Sequence, residues 1–304
     1  MTHPQWRRRD LLLRMAGLGA AAVAGPALLS ACTPTDPGTG QTEGGTLQRL
    51  RDQGFVNVGF ANEAPYGYTD SSGNLTGESP ELARVIFAAL GIPEVRGTQV
   101  EFAGLIAGLG SQQFDLVAAG MAITPERCEQ VAFTNPEYLA PTAFMVPEGN
   151  PENIVAFEDV ADNPDLRLGV LTGAVEEGYA TTLGVAENQI TPLADQPTAF
   201  ESLVAGRIDA IALTSISLNY LLSQNEGEPF EVTEPFFPVI NGEEIIGGGG
   251  FALRQSDQDL VEAMNAELET LKQNNELLPI LEPFGFTEAE LPGDYTAQQL
   301  CQGG

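Results

Sequence analysis

The chemistry this chain can do is defined first by what it lacks. Its one histidine, His3, lies in the first residues, so the body has no imidazole for Ser-His or Cys-His catalysis or for the commonest zinc sites. Carboxylates, tyrosines, Lys272 and Cys128 remain for acid–base work, and Glu63 is the only carboxylate the pattern sets in an obvious site. The side chain best suited to binding is Arg127, in Thr124-Pro125-Glu126-Arg127, a few positions past the apolar run that ends near Gly120. Its planar fork matches a carboxylate with two parallel hydrogen bonds, and the plainer alternative is a surface salt bridge. Thr172-Gly173-Ala174-Val175-Glu176 reads as a tight turn into a helix, whose first amides favour an anion.

Positioning such groups needs a folded frame. Phe55–Phe60 reads as a buried strand, Asn62–Tyr66 as a turn at its end, and Ser72-Gly73-Asn74 as a hairpin turn. A helix starts near Glu78, with Ser79 expected as N-cap and Pro80 as its first residue, and Gly91 ends it. One unit then recurs. Phe102–Gly108 leads to Asp115 and an apolar strand, and Phe200–Gly206 leads to Asp209 and another. A helix, a glycine stop and an Asp opening a strand is a helix feeding a parallel strand, so two such units predict two lobes of similar build. Pro141–Val146 and Leu168–Leu171 read as strands, Gly247–Gly250 as a hinge or close approach before a strand, and Asp257–Asn274 as an amphipathic helix. Open α/β sheets place a ligand cleft at strand C-termini.

The ends carry addressing signals. Arg7-Arg8-Arg9, an apolar run to Leu29 and the close Leu29-Ser30-Ala31-Cys32 read as a secretory leader over residues 1–31, with a transmembrane helix as the alternative. The ending resembles a bacterial lipobox, which makes Cys32 a lipid-anchor site, and Arg8-Arg9 resembles a twin-arginine signal. Residues 32–45, rich in Pro, Gly and Thr, read as a flexible tether. Cys128 and Cys301 remain. In an exported chain an even pair predicts a disulfide, and two buried thiols are the alternative. The net charge of −29, from 13 basic and 42 acidic residues, excludes nucleic acid and anionic lipid surfaces as partners. It fits a high-salt habitat or simply an acidic secreted protein.

Val58–Tyr66, Leu75–Ala83, Phe114–Met121, Ile123–Arg127 and Gly206–Ala210 together resemble the solute-binding proteins of amino-acid ABC importers, extracellular family 3, over about residues 46–290. Within that family the runs Ala119–Cys128, Asn62–Tyr66 and Phe284–Cys301 are closest to the ectoine/hydroxyectoine-binding members. The resemblance implies a type II periplasmic-binding-protein fold: two α/β lobes joined by two crossover strands, with the cleft between them. Residues 46–142 and 248–304 form lobe 1 and 143–247 lobe 2.

It also implies that Arg127, helped by backbone near Gly120 and by the Gly173-Ala174-Val175 turn, holds the carboxylate of a zwitterion. Thr214 stands where amino-acid binders place an Asp for the α-ammonium, which argues for a delocalised cation instead. Glu63 pairs with that cation, and Tyr66 and Phe102 face it with their rings or else belong to the core. Ala122 replaces an expected aromatic, so that wall is either missing or supplied by Phe60, Tyr179 or Phe237. The implied protein is a monomeric, lipid-anchored, non-enzymatic capture protein without cofactor or metal, serving an importer's membrane subunits in compatible-solute uptake. The competing readings are a binder of another zwitterion such as a proline-like amino acid, a cyclic-acid dehydratase on the same scaffold, and a lipoprotein signalling or adhesion module.

Overall fold

The structure is a computed structural model that describes residues 45–303, all within one compact unit. The leader, Cys32 and the tether up to Gly44 lie outside the described residues.

Two sheets share one strand order. In the first, Glu94–Gln99, Phe55–Phe60 and Leu116–Ala122 run parallel, then Gly248–Leu253 runs antiparallel to Leu116–Ala122. Two short strands, Ala132–Phe133 and Tyr138–Leu139, complete that edge. In the second, Ile190–Leu193, Leu168–Leu171 and Ala210–Thr214 run parallel, then Thr142–Pro147 runs antiparallel, with Phe230–Val232 at the edge. In each sheet the antiparallel strand is the one just arrived from the other. The chain leaves the first sheet at Leu139, enters the second at Thr142 and returns between Phe236 and Gly248. The two crossings lie side by side: the Thr142 amide donates to Phe236 O at 2.9 Å and the Ala140 amide to Gly247 O at 3.0 Å. This is the type II binding-protein fold.

The central strands are apolar along their whole length because helices cover both sheet faces. On the first sheet, Glu78–Ala89 and Gln258–Gln273 cover one face, the latter through Leu260, Val261, Met264, Leu268 and Leu271, and the short helix Leu105–Gly110 packs on the other. The internal repeat is physical. Asp115 accepts from the Asn57 amide at 2.9 Å and pairs with Arg49. Asp209 accepts from the Arg167 amide at 2.8 Å and pairs with the Arg167 guanidinium. In each lobe an aspartate that opens one strand thus caps the amide of its parallel neighbour.

Two local expectations change. The helix starts at Glu78 with Gly77 as N-cap, and Ser79 is not a cap. The first amides are already taken, Glu78 N by Pro65 O and Ser79 N by Tyr66 O, so the Ser79 hydroxyl donates to Glu137 instead. The glycines Gly248–Gly250 lie inside the returning strand and do not precede it. A Cβ on Gly248 would stand 2.9 Å from Leu300, and one on Gly250 3.2 Å from Thr134 O, so close approach is their role.

Cys128 and Cys301 form a disulfide with Cα atoms 5.8 Å apart, across 173 residues of sequence. It ties the C-terminal helix Ala297–Leu300, whose Leu300 is buried, to the turn that carries Arg127. A crosslink over so long a loop restricts the unfolded chain strongly. Replacing both cysteines by serine is expected to lower the unfolding free energy by about 3–5 kcal/mol. Urea denaturation of the parent and the double variant measures it, and a loss under about 1 kcal/mol would contradict this account.

Candidate functional site

Each lobe offers the ends of its parallel strands to the other. After Leu116–Ala122, Thr124 caps a one-turn helix, Pro125–Cys128, by accepting from the Arg127 amide at 3.3 Å, and Pro125 sits at its first position. This sharp turn folds Arg127 back over the strand end. One guanidinium nitrogen, Nη1, donates to Ala122 O at 2.7 Å. The other, Nη2, crosses to the second lobe and donates to Gly173 O at 2.8 Å. The guanidinium carbon lies 5.4 Å from the Phe102 ring centre. Burial pushes the Arg127 pKa down, opposed by Glu176, Tyr179, Glu126 and Glu63. A guanidinium stays charged regardless.

The turn after Phe55–Phe60 builds the facing wall. A bridge between Glu63 and Gly67 closes it. Tyr66 is buried against Tyr138, with ring centres 5.2 Å apart, and against Phe286, and its hydroxyl donates to Thr214 Oγ1 in the second lobe at 2.7 Å. Gly120, at φ +60°, leaves no room for a Cβ beneath these two rings, and its carbonyl accepts from the Tyr138 hydroxyl at 2.9 Å. Glu63 is buried and accepts from the Ser217 hydroxyl of the second lobe at 2.9 Å. Burial raises its pKa to about 7, although Ser217 and then Arg127 pull it down.

A small interlobe cavity of about 20 Å³, room for about one water, lies against the crossings. Gly120, Val175 and Thr214 line it, together with Ala122, Tyr179 and Phe237. Tyr179 and Phe237 therefore stand beside the alanine that replaces an aromatic. Phe60 does not, because its ring is buried against Gly97 on the far side of its strand.

Four expected residues are placed differently. Phe102 packs beside the Arg127 guanidinium, because it and Cys128 share one apolar cluster with Leu105 and Phe114. The Gly173 amide is taken by Glu177 at 2.9 Å and the Ala174 amide by Leu171 O at 3.0 Å, so the turn shows Arg127 a carbonyl. Of that turn, Val175 alone lines the cavity. Tyr66 sits in the core with only its hydroxyl at the cleft.

The sequence reading missed three groups here. Glu176, second residue of the helix Val175–Thr182, is buried with one carboxyl oxygen unpartnered, and burial raises its pKa to about 7. Gln196 and Ser217 reach across the cleft to the Glu63 turn. For Glu176 the signal was its place beside the turn already singled out; Gln196 and Ser217 carried none.

Two sheets of one topology, twin crossings and a polar seam that includes a guanidinium define a two-lobed solute-binding protein. The chain matches the family of bacterial extracellular solute-binding proteins, family 3, over residues 56–287, and it belongs to that family. It is similar to a "probable amino-acid ABC transporter periplasmic-binding protein" of Sinorhizobium fredii, 31% identical over 261 residues, covering 84% of this chain and 86% of the relative. It is also similar to the L-arginine-binding protein of Pseudomonas aeruginosa, 28% identical, covering 75% of this chain and 87% of that protein. The crystal structure of EhuB in complex with hydroxyectoine superposes with a TM-score of 0.77 at 33% identity, covering 84% of this chain and 97% of that one. The protein is a solute-binding protein of an amino-acid-type ABC importer and works with that importer's membrane subunits. The relatives named here are binding proteins, not enzymes. Among the described residues no helix is long and apolar enough to cross a membrane.

The buried acids make stability depend on pH. Glu63, Glu137 and Glu176 are raised to about 7 and Glu78 well above its usual value, all chiefly by burial. Below their unfolded pKa, near 4.5, these groups are protonated in both states. As pH climbs from there to about 7 the unfolded chain ionises first, so folding stability falls, by up to about 3 kcal/mol each for Glu63 and Glu176. Denaturant unfolding from pH 5 to 8 measures this slope, and Glu176→Gln should flatten it. A stability that stays level or rises over that range contradicts the assignment.

Proposed function

We propose that the protein is anchored by lipid at Cys32, outside the cytoplasmic membrane, and captures ectoine or hydroxyectoine by closing residues 46–142 and 248–304 against 143–247. One observation carries the reading: the Arg127 guanidinium starts in the first lobe and ends on Gly173 O of the second. A solute carboxylate displaces that carbonyl and turns a single hydrogen bond to a neutral acceptor into a two-pronged ion pair. Because the ligand touches both lobes, it stabilises the closed form over the open one. The cavity is too small for such a solute, so capture begins with the lobes further apart.

Thr214, held by Tyr66, puts a hydroxyl at the second-lobe strand end. The neutral group fits a spread amidinium better than a compact ammonium. Glu63 balances that charge from the first lobe, and Tyr179 and Phe237 serve as aromatic walls beside Ala122. The hydroxyectoine complex of the similar EhuB fold supports this choice. The second reading, an α-amino acid as solute, is favoured by the names of the amino-acid-binding relatives. Uptake of the proposed solute would serve osmoprotection.

Titration calorimetry with ectoine, hydroxyectoine, proline and arginine separates the two. Heat with an ectoine and none with the amino acids is expected, and the reverse favours the second reading. Arg127→Ala should cost about 2–4 kcal/mol of binding, a loss of roughly 30-fold to 1,000-fold. Affinity equal to the parent's would remove Arg127 from the site. In cells, Cys32→Ser should move the protein from the membrane fraction to the soluble one, and unchanged fractionation would rule out the lipid anchor.

A further inference from the structure

A second interlobe contact lies at the Glu63 turn, outside the lining of the interlobe cavity. Gln196 opens the helix Gln196–Val204, held by Asp195 as N-cap and by Pro197 after it. Its side-chain nitrogen faces three acceptors: Ala64 O across the cleft at 2.9 Å, Ser217 O at 3.0 Å and Ser217 Oγ at 3.1 Å. The Ser217 hydroxyl has one proton and two acceptors in the first lobe, Glu63 Oε1 at 2.9 Å and Ala64 O at 3.3 Å. With Gln196 donating to Oγ, that proton is free to go to the carboxylate. Gln196 is 4% exposed, Ser217 0% and Glu63 8%, and none of the three lines the interlobe cavity.

We infer that Gln196 and Ser217 are positioning residues, a buried latch that grips Glu63 and Ala64 when the lobes meet, so that the carboxylate facing the solute's positive end is assembled by closure. The inference rests on the proposed role of Glu63. When the lobes part, water serves every group in the latch. When they close, water is excluded and each acceptor depends on its partner. Deleting a donor therefore leaves Ala64 O or Glu63 unpartnered in the closed state only, which shifts the closure equilibrium and with it the apparent affinity.

The test combines calorimetry with ectoine and hydroxyectoine across pH 5–8 and small-angle X-ray scattering without solute, on the parent, Gln196→Ala and Ser217→Ala. Both variants should bind roughly tenfold more weakly with the ratio between the two solutes unchanged, and both should scatter as a more open ensemble. Ser217→Ala should also move the pH midpoint of binding upward, because Glu63 loses the hydrogen bond that favours its charged form. The other groups around Glu63, namely Arg127, Glu176, Tyr66 and Tyr138, are the same in parent and variant. Parent-like affinity and parent-like scattering overturn the latch. Weaker binding with an unmoved midpoint overturns the positioning of Glu63. If Gln196→Ala loses its fold by circular dichroism, Ser217→Ala, which removes one oxygen atom, decides. If the parent itself ignores both ectoines, the proposed solute is wrong and scattering alone judges the latch: a more open variant upholds it and an unchanged one overturns it.

Discussion

A guanidinium partly withdrawn from water must be met by acceptors, and the cleft is arranged around that requirement. Arg127 takes one acceptor from its own lobe, Ala122 O, and one from the other, Gly173 O. Both are neutral carbonyls, which hydrogen-bond a cation without cancelling its charge. Its position is over-determined. Thr124 caps the turn, Pro125 fixes its entry, and the disulfide at Cys128 ties the next residue to the chain terminus. The second lobe needs only a carbonyl at the right place, which Gly173 supplies at φ +79°. A rigid cationic donor whose acceptors leave its charge uncancelled is what the proposed carboxylate site needs.

The carboxyls of the cleft answer the same constraint from the other side. Glu63 and Glu176 each feel Arg127, and each is raised to about 7 by burial. Near neutral pH they hold a proton part of the time, so the closed seam does not carry two full negative charges against one positive one. On the proposed reading, a solute whose positive end meets Glu63 favours its ionised form and so lowers the pKa that burial raised. Proton release on binding is the thermodynamic counterpart of that exchange. It needs no group to act as a catalyst.

Much of this was legible in the sequence where the determining contacts are local. The repeat was visible because each copy joins a helix, a glycine and an aspartate within a few residues. The aspartates proved to cap the parallel neighbours in both lobes. The Arg127 turn was legible because Thr124 and Pro125 encode it over four positions. Where the reading fell short, a more distant group had claimed the same atoms. The first amides of the Glu78 helix were satisfied by the turn before it, which left Ser79 to Glu137. Glu177, four residues on, occupied the Gly173 amide, a pairing open to a reader who asked where that amide goes. Gln196 and Ser217 meet partners 132 and 154 residues away, and no local pattern announces such a pair.

The contrast between the seam and the surface ties these parts together. Each lobe carries many more Asp and Glu than Arg and Lys, so closing one on the other works against like charge. Among the described residues the ion pairs of this acidic chain join groups within one lobe. The lobes are joined instead by hydrogen bonds: Tyr66 to Thr214, Gln196 to Ala64, Ser217 to Glu63 and Arg127 to Gly173. Salt acts unequally on the two sets. Repulsion between exposed charges fades beyond a Debye length of about 8 Å at 0.15 M, and faster as salt rises. Hydrogen bonds at contact distance, each with at least one neutral partner, are screened far less. Rising ionic strength therefore removes an opponent of closure and leaves its supports in place. A seam held by surface ion pairs would respond in the opposite sense, weakening as salt rises.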